Sequence, residues 1–84
     1  MTNNEILIKQ IIYRSNHRGS KEMDILLGNF VKKNLNLLNR KDLEDLKKLL
    51  LVEDEIIYDW FFKKISNKKI IKNKVSLLLR NFKL

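Results

Sequence analysis

Apolar residues return at intervals of three and four along almost the whole chain, and each run stops at a cluster of polar or charged positions. That rhythm is helical, proline is absent, and no alternating stretch calls for a strand, so the pattern predicts an all-α chain with short connections. The first run, about Asn4 to Ser15, places Leu7, Ile8, Ile11 and Ile12 on one stripe. Gly19 interrupts it, because glycine costs about 1 kcal/mol relative to alanine inside a helix and readily supplies the positive φ of a turn. A second helix begins near Ser20, a candidate N-cap, with Glu22 and Asp24 in the first turn where the helix dipole favours carboxylates. It turns Met23, Leu26, Leu27, Phe30 and Val31 inward, tolerates Gly28 if another helix approaches closely, and fades around Asn34 to Asn36. Asn39 with Asp42 three residues on resembles a capping pair, and Leu43, Leu46, Leu49 and Leu50 follow on one face of a third helix.

Val52-Glu53-Asp54-Glu55 breaks that helix, and Asp54 is the candidate cap of a fourth, which carries Ile56, Ile57, Trp60, Phe61 and Ile65 inward. Ser66 to Lys69 reads as a basic loop. A fifth helix, roughly Ile70 to Phe82, follows the stripe Ile71, Val75, Leu78 and Phe82. Five short helices, each apolar on one side, cover one another only as a compact bundle, here a single domain over residues 1–84. The pattern resets at every polar junction, which argues against a coiled coil.

At 84 residues the chain has room for one core but little for a catalytic cavity. It has no cysteine, which removes disulfides, thiolate zinc sites and cysteine nucleophiles. No run approaches the roughly 18 apolar residues of a membrane span, and Met1-Thr2-Asn3-Asn4-Glu5 lacks a signal-peptide pattern, so a cytoplasmic protein without membrane insertion is expected. The net charge of +8 invites a nucleic-acid reading. Two things weaken it. Alanine is absent while Lys, Asn, Ile and Leu dominate, as an AT-rich coding sequence would produce. The charge is also unevenly placed: all ten acidic residues lie at or before Asp59, and the excess resides in Lys63, Lys64, Lys68, Lys69, Lys72, Lys74, Arg80 and Lys83. That C-terminal stretch presents a basic surface, able to attract phosphates or an acidic protein through a field that salt screens.

The remaining chemistry is sparse. The one histidine, His17, sits between Arg14 and Arg18, a cationic setting that disfavours metal binding. Glu53, Asp54, Glu55 and Asp59 lack the glycine turn of a calcium loop, and neither GxGxxG nor GxxxxGK[ST] occurs, so no stably bound cofactor is expected. Most polar density collects in Tyr13-Arg14-Ser15-Asn16-His17-Arg18-Gly19-Ser20-Lys21-Glu22-Met23-Asp24, between two amphipathic runs. A solvated turn explains that composition, and so does a contact surface. Arg18 and Glu22 have the spacing of a helical ion pair, but a turn at Gly19 would separate them and leave Arg18 free for a partner's carboxylate or carbonyl. Trp60 is assigned to the core; Tyr13 stays undecided.

At Arg18-Gly19-Ser20-Lys21-Glu22 the sequence resembles the SdhE family, small FAD assembly factors of succinate dehydrogenase with the signature RGxxE. The similarity continues through Leu26-Leu27-Gly28 and Phe30, the leucine-rich third helix, Glu53-Asp54, Tyr58-Asp59-Trp60 and Leu77-Leu78-Leu79-Arg80-Asn81-Phe82, and the sequence looks like the branch of bacterial members related to the mitochondrial factors. The resemblance implies a five-helix bundle that binds the flavoprotein subunit of succinate dehydrogenase, or fumarate reductase, and promotes covalent attachment of FAD to it. FAD would belong to the client, the chain would not be an enzyme, and the free factor would be a monomer with no nucleic-acid partner. Carried over, Arg18, Gly19 and Glu22 form the contact surface, with Arg14, His17 and Lys21 beside them. Two departures concern helix boundaries: Glu55 stands where many members have proline, and Lys63-Lys64-Ile65-Ser66-Asn67 replaces a glycine-containing link. The alternative is a nucleic-acid-binding or antitoxin-like module using the basic C-terminal face. A flavin-transferring enzyme is a third reading, without a phosphate cradle to support it.

Overall fold

Thr2 accepts the backbone N–H of Glu5 and starts α1, Asn3–Asn16, in the computed structural model, which describes residues 2–84; Met1, part of the expected 1–84 domain, lies outside the described residues. Ser20 caps α2, Lys21–Asn34, by accepting from Met23 N–H, and a short 3₁₀ turn, Leu35–Leu37, leads to α3, Arg40–Leu50. Asn39 and Asp42 form a reciprocal capping box, aspartate serving where glutamate is usual. Then come α4, Asp54–Phe62, and α5, Lys74–Arg80. Among the described residues there is no strand, and no helix is long and apolar enough to cross a membrane.

α1 packs against both α2 and α3, and α5 packs against α3. Leu7 and Ile11 of α1, Met23, Leu26, Leu27, Phe30 and Val31 of α2, and the four leucines of α3 enter one core with Ile57, Trp60 and Phe61 of α4 and Val75 and Leu79 of α5. Close approach of α1 and α2 explains Gly28: a Cβ there would stand 2.8 Å from Asn16 Oδ1, whose own amide donates to Ile12 O.

Three expectations fail at the ends of helices. Ile12 and Ile65 face solvent, because α1 turns Leu7 and Ile11 into the core with Ile8 packed at its edge and leaves Ile12 outside, and α4 stops at Phe62, before Ile65. α5 begins at Lys74 instead of Ile70, since Asn73 accepts from Ser76 N–H and Ser76 Oγ accepts from Asn73 N–H, fixing the start by a capping box. The buried stripe of α5 is accordingly Val75, Ser76 and Leu79, with Ile70 buried from the preceding loop and Ile71 exposed. The third is the assignment of Asp54 as a cap. Glu53 holds the N-cap position of α4 without a side-chain bond, and Asp54 is committed elsewhere.

Candidate partner-binding site

The α1–α2 connection is tied to the α3–α4 connection by a single arginine. Arg18 Nε donates to Asp54 Oδ1 at 2.7 Å, and Nη2 forms an ion pair with the same oxygen at 2.6 Å. Nη1 donates to Leu50 O at 2.7 Å and Arg14 O at 3.2 Å, and Nη2 to Val52 O at 3.2 Å. Four of the five N–H donors of a guanidinium are thereby engaged. The carbonyls of Arg14 and Leu50 lie in the last turns of α1 and α3, where unpaired carbonyls collect and a cation is favoured. Asp54 in turn occupies the first turn of α4, where the dipole favours a carboxylate.

Asp54 also explains Gly19. Its Oδ2 accepts the Gly19 backbone N–H at 2.6 Å, and a Cβ on Gly19 would stand 3.0 Å from that oxygen. The expectation of a positive φ is corrected: no glycine has one, and the requirement at residue 19 is room for the carboxylate. Asp24 completes the knot by accepting Arg18 N–H at 2.7 Å, a task beyond its expected role in the helix dipole.

The expectation that Arg18 offers its guanidinium outward therefore fails; the side chain retains 8 % exposure and no Arg18–Glu22 ion pair forms among the described residues. Glu22, Lys21, His17 and Arg14 are exposed. Gly19 and Glu22 share a shallow depression with Asp54, Glu55, Tyr58 and Asp59, so the local surface is acidic although the chain is basic. Arg14 lies apart, in a second depression with Lys9, Gln10 and Tyr13. His17 and Lys21 line neither. His17 stacks on Tyr13 with centroids 3.9 Å apart, and its Nδ1 lies 2.7 Å from Tyr13 O, which requires that nitrogen to donate. Tyr13, undecided from sequence, is exposed, and Trp60 is buried as assigned.

Sequence reasoning missed the contribution of α4. Asp54, 36 residues from Arg18, has no periodicity signal linking it to the loop. Tyr58 had one: two positions before the buried Trp60 on a helix, it must point away from the core, and it does. The C-terminal excess of charge is also partly spoken for, as Lys63 pairs with Asp59, Lys69 with Glu53 and Lys74 with Asp42.

Residues 9–83 match the protein-family model described as flavinator of succinate dehydrogenase. FAD assembly factor SdhE of Acetobacter pasteurianus is 37 % identical over 54 residues, covering 64 % of this chain and 50 % of the relative. Mitochondrial succinate dehydrogenase assembly factor 2 of Dictyostelium discoideum is 40 % identical over 67 residues, covering 74 % and 48 %. The protein of the same name from Scheffersomyces stipitis is 41 % identical over 56 residues, covering 67 % and 38 %. The chain spans about half the length, or less, of these curated relatives. No solved structure matches it.

Proposed function

The chain belongs to the flavinator of succinate dehydrogenase family, and we propose that it binds the flavoprotein subunit of succinate dehydrogenase, or of fumarate reductase, and promotes covalent attachment of FAD to that subunit. The observation that carries the reading is the exposed Gly19 and Glu22 beside an open depression whose floor is fixed by the Arg18–Asp54 bridge. A backbone turn and a carboxylate held on a rigid support suit a partner that presents N–H groups or cations. In this reading Arg18 is a positioning residue acting from beneath the surface and Glu22 makes the contact, while Arg14, His17 and Lys21 are exposed outside that depression and contribute only if the partner extends beyond it.

The chemistry stays with the client and its flavin. The factor holds no cofactor of its own, works in the cytoplasm, and stabilises a minor, attachment-competent arrangement of the client by binding it more tightly than the others. The relatives' names point to flavin assembly and not to nucleic acid or toxin neutralisation.

The structure selects the variant that tests this. Substitution of Arg18 or Gly19 disturbs the internal bridge as well as the surface, whereas Glu22 is exposed and makes no ion pair among the described residues. In cells lacking the native factor, Glu22→Ala is expected to reduce covalent flavin on the client, read by in-gel flavin fluorescence, with unchanged helical circular dichroism. Normal flavinylation by that variant at equal protein level would remove the basis of the proposal.

A further inference from the structure

On the opposite chemical footing from the acidic depression is a cleft walled by Trp60 and α5. Arg80 lies over the Trp60 ring with Cζ 4.5 Å from its centroid, and forms no ion pair with a carboxylate among the described residues. Lys72 also lacks an ion pair there, in contrast to Lys63, Lys69 and Lys74. Ile70, Asn73 and Leu77 line the same cleft, whose volume is about 540 Å³. None of its lining residues is shared with the depression beside Gly19 and Glu22.

A guanidinium held over an aromatic ring by cation–π attraction keeps the N–H groups that point away from the ring available to an oxyanion. Arg80 is half-buried, so an anion at those groups is screened less than at an open surface. Among the described residues no carboxylate pairs with it. A small free anion would satisfy the cations but leave the cleft largely empty and Leu77, 63 % exposed, in water. An acidic peptide segment carrying an aliphatic neighbour meets both needs.

We propose that this cleft docks an acidic, aliphatic-containing segment of a protein partner, one carboxylate meeting Arg80 and Lys72 and an aliphatic side chain lying against Ile70 and Leu77. It is a second contact surface, independent of whether the partner is a flavoprotein.

Trp60 is the only tryptophan, so its fluorescence and its indole N–H resonance report on the cleft directly. The full chain would be titrated with a capped octapeptide alternating aspartate and leucine, with its asparagine–leucine counterpart, and with inorganic phosphate at matched ionic strength. The expected result is a saturable response to the acidic peptide, weakened about tenfold or more by the asparagine exchange, by Arg80→Gln and by Lys72→Gln, and no saturable response to phosphate. Lys72 is exposed, so its substitution tests the charge without disturbing the Arg80–Trp60 contact. Equal binding of the two peptides, unchanged affinity in either variant, saturation by phosphate, or no response to the acidic peptide up to about 1 mM overturns the assignment.

Discussion

Truncating Arg18 to alanine strips hydrogen bonds from three backbone carbonyls and leaves the Asp54 carboxylate without its cation. Removing one partner of a well-buried pair costs several kcal/mol, but Asp54 retains 27 % exposure and water recovers part of that, so a loss of about 2 kcal/mol is expected for Arg18→Ala in denaturant unfolding. Arg18→Lys restores the charge but not the fork that reaches Leu50, Val52 and Asp54 together, and is expected to recover only part of the loss. Glu22→Ala is expected to leave stability within about 0.5 kcal/mol of wild type, because it removes an exposed side chain without an ion pair among the described residues. The two residues of one signature therefore separate by assay: unfolding is sensitive to the arginine, client flavinylation to the glutamate.

The end of α4 gives a second case, at Lys64. It has φ of 60°, a left-handed conformation that costs a side-chain-bearing residue about 1 kcal/mol, and it stands in the link where the resembling family often has glycine. Lys64→Gly removes that strain but forfeits the bond from Nζ to Phe61 O, so a net gain of about 0.5 kcal/mol and a small rise in thermal midpoint are expected; Lys64→Val should lower it. Most of the fold was legible because caps and stripes are local: Ser20, the Asn39–Asp42 box and all five inward residues of α2 follow from spacing alone. The start of α5 was obscured by Ile70 and Ile71, which extend the apolar pattern through a loop that Asn73 closes. The candidate site was legible as a set of loop residues but not as a surface, because the carboxylate that turns Arg18 inward arrives from a distant part of the chain.

Across the whole molecule, α3 and α5 are joined at their starts by Lys74 and Asp42, 3.2 Å apart. Burial by itself pushes the Asp42 carboxyl up, but the Asn39 N–H, the Lys74 ammonium and the charge of Lys41 outweigh it and hold its pKa below the ordinary aspartate value. A carboxyl lowered in the folded state contributes stability that is complete above its unfolded pKa and fades as pH falls through the folded one. Unfolding free energy is expected to drop on acidification below about pH 4, and the drop should be smaller in Asp42→Asn; denaturant titrations from about pH 3 to 6 check this. The bridge between the two connections carries a different implication. Exchanging its residues, as Arg18→Asp with Asp54→Arg, retains opposite charges, yet aims a carboxylate at the carbonyls closing α1 and α3 and sets a cation at the opening of α4. The latch is keyed: its polarity is dictated by the helices it fastens, and the swapped chain should hold together less firmly than the natural one.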